Sequence, residues 1–245
     1  MEGSSKRIKE EFGMHNEAEA VLAYGSLNRD FMYANYPLIA EEIIWRTNLK
    51  DGVILDIGTG LGTLAFEFAV RLPEAHIYGI DISPEMLDEA KRTAREKKIE
   101  NIKFILGDVQ NFNMKDSSFD LIVSFGVLHH LTDLKSLFSG IKTLLKTEAA
   151  AYIYDLRKDA PQEVVSEIAS SMNDASQRAF LESVREAYDL VHIKEAIEGT
   201  HFSEYALSYP QYSRSTIIKN KEILKKSRFI GERFNKILVE CYLKK

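Results

Sequence analysis

Two acids stand where an apolar run gives way to a turn, and both sit where a ligand would meet them. The run Val53-Ile54-Leu55 closes on Asp56, and glycines follow at alternate positions: Gly58, Gly60 and Gly62. Leu64, Ala65, Phe66, Phe68 and Ala69 then begin an apolar helical stretch. Glycine tolerates positive φ and lets a ligand approach the backbone, and a helix start adds unpaired N–H donors. The spacing departs from the dinucleotide fingerprint G-x-G-x-x-G, whose third glycine would fall on Thr63. Asp56 inside the motif would repel a pyrophosphate; it suits a cation, or a ligand rich in hydroxyl and amino donors. Asp81 closes a second apolar run (Ile77 to Ile80), 25 residues after Asp56. An acid at the tip of the second strand of a βαβ unit accepts hydrogen bonds from ribose hydroxyls, so the pair points to a nucleoside. Further along, His129 and His130 offer side chains whose ordinary pKa near 6.5 suits proton transfer at neutral pH. The competing reading of these two is a loop pair, one bonded to backbone and one facing solvent.

Holding these residues requires alternating strands and helices. The periodicity predicts a helix from Pro37 to Arg46, then strand 52–57, helix 61–72, strand 76–81, helix 84–97, strands 102–107 and 119–125, helix 133–146 and strand 150–155. Ser83-Pro84-Glu85 is a helix start, with Ser at N-cap, Pro at N1 and an acid in the first turn. Strands separated by helices imply a parallel sheet covered on both faces. Residues 1–15 are polar and residues 16–34 carry one or two short helices. Helices are expected at 160–173 and 176–198. His201 to Tyr209 alternates like a strand, and Ser213 to Lys219, with Thr216, Ile217 and Ile218, reads as its hairpin partner. Residues 221–245 carry apolar residues among eight Lys/Arg and read as an amphipathic helix, with a rival register that puts the last strand at Leu238–Leu243.

The segments Asp56-Ile-Gly-Thr-Gly-Leu-Gly62, Asp81-Ile-Ser83, Gly107-Asp108-Val109 and Phe119-Asp-Leu-Ile-Val-Ser124 resemble, in order, the motifs of class I S-adenosylmethionine (SAM)-dependent methyltransferases. Val127-Leu-His-His-Leu131 resembles the segment after strand four in the small-molecule, methyltransferase-type-11 branch. The resemblance covers roughly residues 35–220. It implies an α/β fold: a doubly wound, seven-stranded, mostly parallel sheet of order 3-2-1-4-5-7-6, the last strand antiparallel, with helices on both faces. It implies a SAM-binding domain over 35–220 with a helical insertion at about 160–198, an N-terminal helical lid over 1–34, and a C-terminal amphipathic extension over 221–245. One departure is the turn before strand five, usually Pro-Gly-Gly in the family and here Lys146-Thr-Glu-Ala-Ala150.

What the resemblance implies for single residues follows. The cofactor is SAM, leaving as S-adenosylhomocysteine (SAH). Asp56 lies near its methionine amino group, the turn Gly58-Thr59-Gly60 takes the ligand against the backbone, and Asp81 takes the ribose. Ile82 and Met86 pack against adenine, although an apolar helix face explains Met86 as well. Asp108 accepts from the adenine amino group and the Val109 amide faces the ring. Ser124 and Phe125 lie under the sulfonium. Tyr36 touches the methionine carboxylate or the acceptor. Tyr24 and Tyr33 in the lid, Arg157 after strand five, and Tyr209 face the acceptor. His129 or His130 serves as base for an acceptor that carries a proton.

The resulting expectation is methyl transfer to a small-molecule acceptor by in-line displacement. The alternatives are a nucleic-acid (tRNA/rRNA) methyltransferase and a SAM-binding regulatory or scaffold protein without turnover. The formal net charge of −5 and the absence of a Pro-Pro-aromatic clamp after strand four weigh against nucleic acid. No stretch reaches the ~18 apolar residues of a membrane span, and the single Cys241 excludes an internal disulfide framework and a Cys-based metal site. A cytoplasmic protein without metal or membrane partner is expected; a homodimer through the basic extension stays open.

Overall fold

Apolar runs with alternating burial build the centre of the molecule. In the computed structural model, which describes residues 35–108, 114, 118–220 and 236–244, β1 (Val53–Ile57) sends Leu55 and Ile57 to one face and Ile54 to the other. The remaining strands are β2 (His76–Asp81), β3 (Ile102–Leu106), β4 (Phe119–Phe125), β5 (Leu145–Leu156), β6 (Glu204–Ser208) and β7 (Lys236–Tyr242). They form one sheet of order β3-β2-β1-β4-β5-β7-β6. β1 to β5 are parallel, and β7 runs antiparallel to both β5 and β6. Fold class and strand order are those expected from the sequence.

Helices cover both faces. On one, α1 (Asn35–Thr47) and α2 (Thr63–Arg71) bury Tyr36, Ile39, Ile43, Leu64 and Phe68 against Ile54, Leu121, Val123 and Tyr152. On the other, α4 (Leu134–Leu144) and α7 (Leu190–Glu198) bury Leu137, Phe138, Ile141, Ile193 and Ile197 against Leu55, Ile122, Ile153 and Val239. Each such fully buried side chain stabilises by roughly 1.5–3 kcal/mol. Between them α3 (Pro84–Lys97) packs on β2 and β3; its N-cap Ser83 accepts from the Met86 amide at 3.2 Å, and it closes on Lys98 in the left-handed region. The region expected to hold helices at 160–198 forms α5 (Gln162–Ser170), α6 (Asp174–Glu186) and α7, with a small core of Val165, Ile168, Ala169 and Phe180.

The C-terminal part corrects the expectation. Residues 213–219 are not the hairpin partner of β6: Arg214–Lys219 is a helix, α8. Its first turn is fixed by a buried acid of α1. Glu42 accepts from the Ser213 amide and the Thr216 hydroxyl, both at 2.7 Å, and from Arg46 Nε at 2.9 Å. The Ser213 hydroxyl also accepts from the Thr216 amide, as an N-cap does. The last strand is 236–242, the rival register, and it lies inside the segment read as an amphipathic extension. It pairs in the sheet because Leu238, Val239 and Cys241 are almost wholly buried there. The expected turn at Lys146–Ala150 is absorbed into an early start of β5, with a register shift opposite Phe119/Leu121 and Glu148 at φ 67°.

Candidate functional site

β1 turns outward to β2 on one side and β4 on the other, so a crevice opens at their C-terminal ends, the usual ligand position in a doubly wound sheet. The turn after β1 is shaped by its glycines. Gly58 has φ +65°, and a Cβ there would meet Val127 Cγ2 at 2.2 Å. Ser124 ties β4 to β1 at this point: its hydroxyl donates to the Ile57 carbonyl at 3.0 Å.

Asp56 is 2% exposed and accepts from the Thr59 hydroxyl at 2.7 Å. Burial pushes its carboxyl up to about 7, against the Thr59 hydrogen bond and with help from the negative charge of Asp81. Asp81 is held on both oxygens: the Gly60 amide donates to Oδ2 at 2.7 Å and the Ser83 amide to Oδ1 at 2.9 Å. Burial also raises Asp81, against these amides. The structure therefore brings Asp56, Gly58, Thr59, Gly60 and Asp81 into one cluster at the β1 and β2 tips. Ile82 and Met86, both half-buried, continue from Asp81 into α3, and Asp108 follows Gly107, whose amide donates to the Asp81 carbonyl at 2.9 Å.

On the β4 side, the Phe125 ring lies 5.0 Å from Tyr36 of α1, and Lys236 at the start of β7 places its ammonium 5.4 Å from the same ring. Beyond Gly126 (φ +73°) the 3-10 turn Leu128–His130 carries the two histidines, ring centroids 4.1 Å apart. They occupy different environments. His129 is buried with Nδ1 2.6 Å from Oδ1 of Asp155, while His130 is half-buried and within electrostatic reach of Asp81 and Asp155. α6 packs on this turn, and the Tyr188 hydroxyl donates to the Leu131 carbonyl at 2.7 Å, so the helical insertion is tied to the histidines.

Arg157 and Tyr209 meet each other: the guanidinium lies 4.1 Å from the Tyr209 ring centroid, and it also pairs with Asp159 at 2.7 Å. Tyr24, Tyr33 and Val109 lie outside the described residues. Two contacts were not read from the sequence. The pairing of Asp155 with His129 is not legible in the sequence, because 26 residues and a helix separate them. Lys236, 8% exposed, was not singled out, since it reaches Phe125 only through the β7 register.

The arrangement offers the acceptors that a cationic nucleoside needs: two acids at adjacent strand tips, one fixed by amides, beside a turn of left-handed glycines. A family model described as a methyltransferase domain matches residues 48–195. The methyltransferase YcgJ of Bacillus subtilis, itself uncharacterized, is 31% identical over 121 residues, 49% of this chain and 46% of its own. A demethylmenaquinone methyltransferase of a Geobacillus strain is 28% identical over 141 residues, 55% of this chain and 60% of its own. The chain thus spans about half the length of these curated relatives. Among solved structures, the plantazolicin methyltransferase BpumL in complex with SAH superposes with a TM-score of 0.76 at 18% identity, covering 99% of each chain.

Proposed function

The chain belongs to the methyltransferase-domain family, and from that premise we propose that it transfers a methyl group from SAM to a small-molecule acceptor. The observation that carries the reading is the Asp81 carboxylate, locked by the Gly60 and Ser83 amides at the tip of β2. A carboxylate has about four acceptor sites, so both oxygens keep capacity for the two ribose hydroxyls. Bound SAM would supply an activated methyl on a cationic sulfur; the protein supplies position.

Each side chain has a part in that. Asp56 takes the amino group of the cofactor, Ile82 and Met86 flank adenine, and Asp108 with the amide of Val109 reads its edge. Tyr36, Ser124 and Phe125 line the approach to the reacting methyl. Aligning donor and acceptor can supply roughly 7–11 kcal/mol of the barrier. On the acceptor side, His129 or His130 takes a proton where the acceptor has one to lose, and Arg157, Tyr209 and the lid residues Tyr24 and Tyr33 enclose the acceptor. The net charge of −5 supports a small acceptor over nucleic acid, as do the substrates in the relatives' names: demethylmenaquinone and plantazolicin. The buried, lone Cys241 is compatible with a reducing, cytoplasmic setting.

The test is the melting temperature with and without SAM and SAH. A ligand at 100 times its Kd stabilises by roughly 2.7 kcal/mol. Wild type should shift upward with both, and folded Asp81→Ala, checked by circular dichroism, should not. An equal shift in D81A would remove the basis of the site, and no shift in wild type would remove the SAM reading.

A further inference from the structure

We infer that Asp155 is the positioning residue of a His129–Asp155 pair, which keeps the neutral His129 ring protonated at Nδ1 and gives Nε2 the lone pair that accepts a proton from the methyl acceptor. The first half stands on the structure alone; the second rests on the methyltransferase reading.

The pair sits where chemistry would need it. Asp155 is at the C-terminal end of β5 and His129 in the turn just past β4, both at the ligand edge of the sheet. Asp155 is 2% exposed and His129 7% exposed. Three donors converge on the carboxylate: Leu128 N on Oδ2 at 2.6 Å, Leu156 N on Oδ1 at 2.7 Å, and His129 Nδ1 on Oδ1 at 2.6 Å. Burial raises the Asp155 pKa; the charge of a protonated His129, its hydrogen bond and the Leu156 amide together outweigh that burial, so the carboxyl lies below its ordinary value when the ring is a cation. Each oxygen of the carboxyl already accepts from a backbone N–H, Oδ2 from Leu128 and Oδ1 from Leu156, so Asp155 acts as the acceptor and the proton of the His129 hydrogen bond belongs to Nδ1. In the neutral ring the lone pair is then on Nε2.

A purely structural knot would not need the charge. An asparagine carbonyl could accept from the Leu128 amide, and burying a full negative charge costs several kcal/mol unless a positive partner offsets it. The charge gains its use when His129 becomes a cation. As the acceptor's lone pair takes the methyl, its O–H or N–H bond breaks and the proton passes to His129 Nε2. The electron pair of the broken C–S bond stays on sulfur. The imidazolium so formed faces a carboxylate already ionised, and no proton moves to Asp155. His130 differs: its ring lies tilted over His129, and Asp81 and Asp155 both act on it from a distance.

The first arm of the test reads the imidazole 15N signals of the ligand-free protein at a pH where histidine is neutral, with His129→Gln identifying the signals of His129. Wild type should show the Nδ1–H tautomer; the Nε2–H tautomer overturns the proposal, and this measurement stands alone should the next variant fail to fold. Asp155→Ala removes the acceptor of the Nδ1 proton and should shift the ring toward Nε2–H; an unchanged tautomer in folded D155A also overturns it. The second arm counts tritiated methyl passed from SAM to a low-molecular-weight cell extract. D155A and H129Q should each cut transfer by roughly 10²–10⁴-fold with SAM affinity unchanged, whereas wild-type transfer in D155A ends the positioning role. Absence of transfer by wild type counts against the methyltransferase reading, while the tautomer arm, which uses neither SAM nor acceptor, still decides the pair.

Discussion

Asp56 illustrates what one buried side chain can impose on binding. Burial pushes its carboxyl up to about 7 from an ordinary value of 3.8. The folded chain therefore keeps a proton that the unfolded chain gives up. The stability this contributes is full below about pH 4 and is lost as pH rises through about 7. A ligand ammonium selects the ionised form. We predict that SAH affinity, measured by isothermal titration, is about tenfold weaker at pH 6 than on the plateau near pH 8, since the ionised fraction falls about tenfold per unit below the pKa. Asp56→Asn should flatten that dependence; a slope that survives in D56N would detach Asp56 from the ligand. Asp56 and Asp81 were legible in the sequence because an apolar run ending in an acid is a local pattern. The partner of His129 was not, because nothing near residue 129 announces a strand end 26 residues away.

Among the elements, the turn after β1 and the helix α8 show opposite limits of local reading. The glycine turn is dictated by backbone sterics. Gly58→Ala meets both a positive φ, worth roughly 1–2 kcal/mol, and the Val127 side chain, where overpacking costs about 1–3 kcal/mol. Urea denaturation should show a loss of about 2–5 kcal/mol, with Val127→Ala in the same chain relieving the steric part only. A G58A chain as stable as wild type would contradict the observed turn. Residues 213–219 misled for the converse reason: Thr216, Ile217 and Ile218 favour a strand by propensity, but Glu42, distant in sequence, captures Ser213 and Thr216 and fixes a helix there. The N-cap pattern Ser213-x-x-Thr216 was a local hint that propensity overshadowed. All three partners of Glu42 are donors, so Glu42→Gln would set an amide NH₂ against one of them. We expect E42Q and E42A to lose comparable stability, roughly 3–5 kcal/mol for a broken buried ion pair, read by the same denaturation; a neutral E42Q would show that α8 is not anchored through this acid.

At the scale of the molecule, the alternation of strands and helices from residue 53 to 156 was legible because both periods are strong there. The far edge of the sheet was not. The family model ends at residue 195, yet the sheet continues to residue 242. β7 carries Leu238, Val239 and Cys241 into the two cores at no more than 1% exposure, and its removal would bare β5 from Ala150 to Leu156. A chain ending at residue 220 should therefore lose the cooperative thermal transition and elute as aggregate on size exclusion. A monomeric, cooperatively melting product would mean that β7 is dispensable. Elsewhere the buried Cys241 thiol is pushed up to about 12 by burial, so alkylation at neutral pH should be negligible until the sheet opens, which gives a direct readout of that opening.

The insertion of β7 between two earlier strands also fixes an order of events during synthesis. Among the described residues, β6, which ends at residue 208, pairs only with β7, which finishes at residue 242. At 5–20 residues per second the ribosome takes roughly 2–7 s to make the intervening chain. For that interval the nascent protein carries β5 as an uncovered edge, with β6 waiting beyond it. Such an edge invites pairing with other chains, so the interval before β7 emerges is when this protein most needs a chaperone.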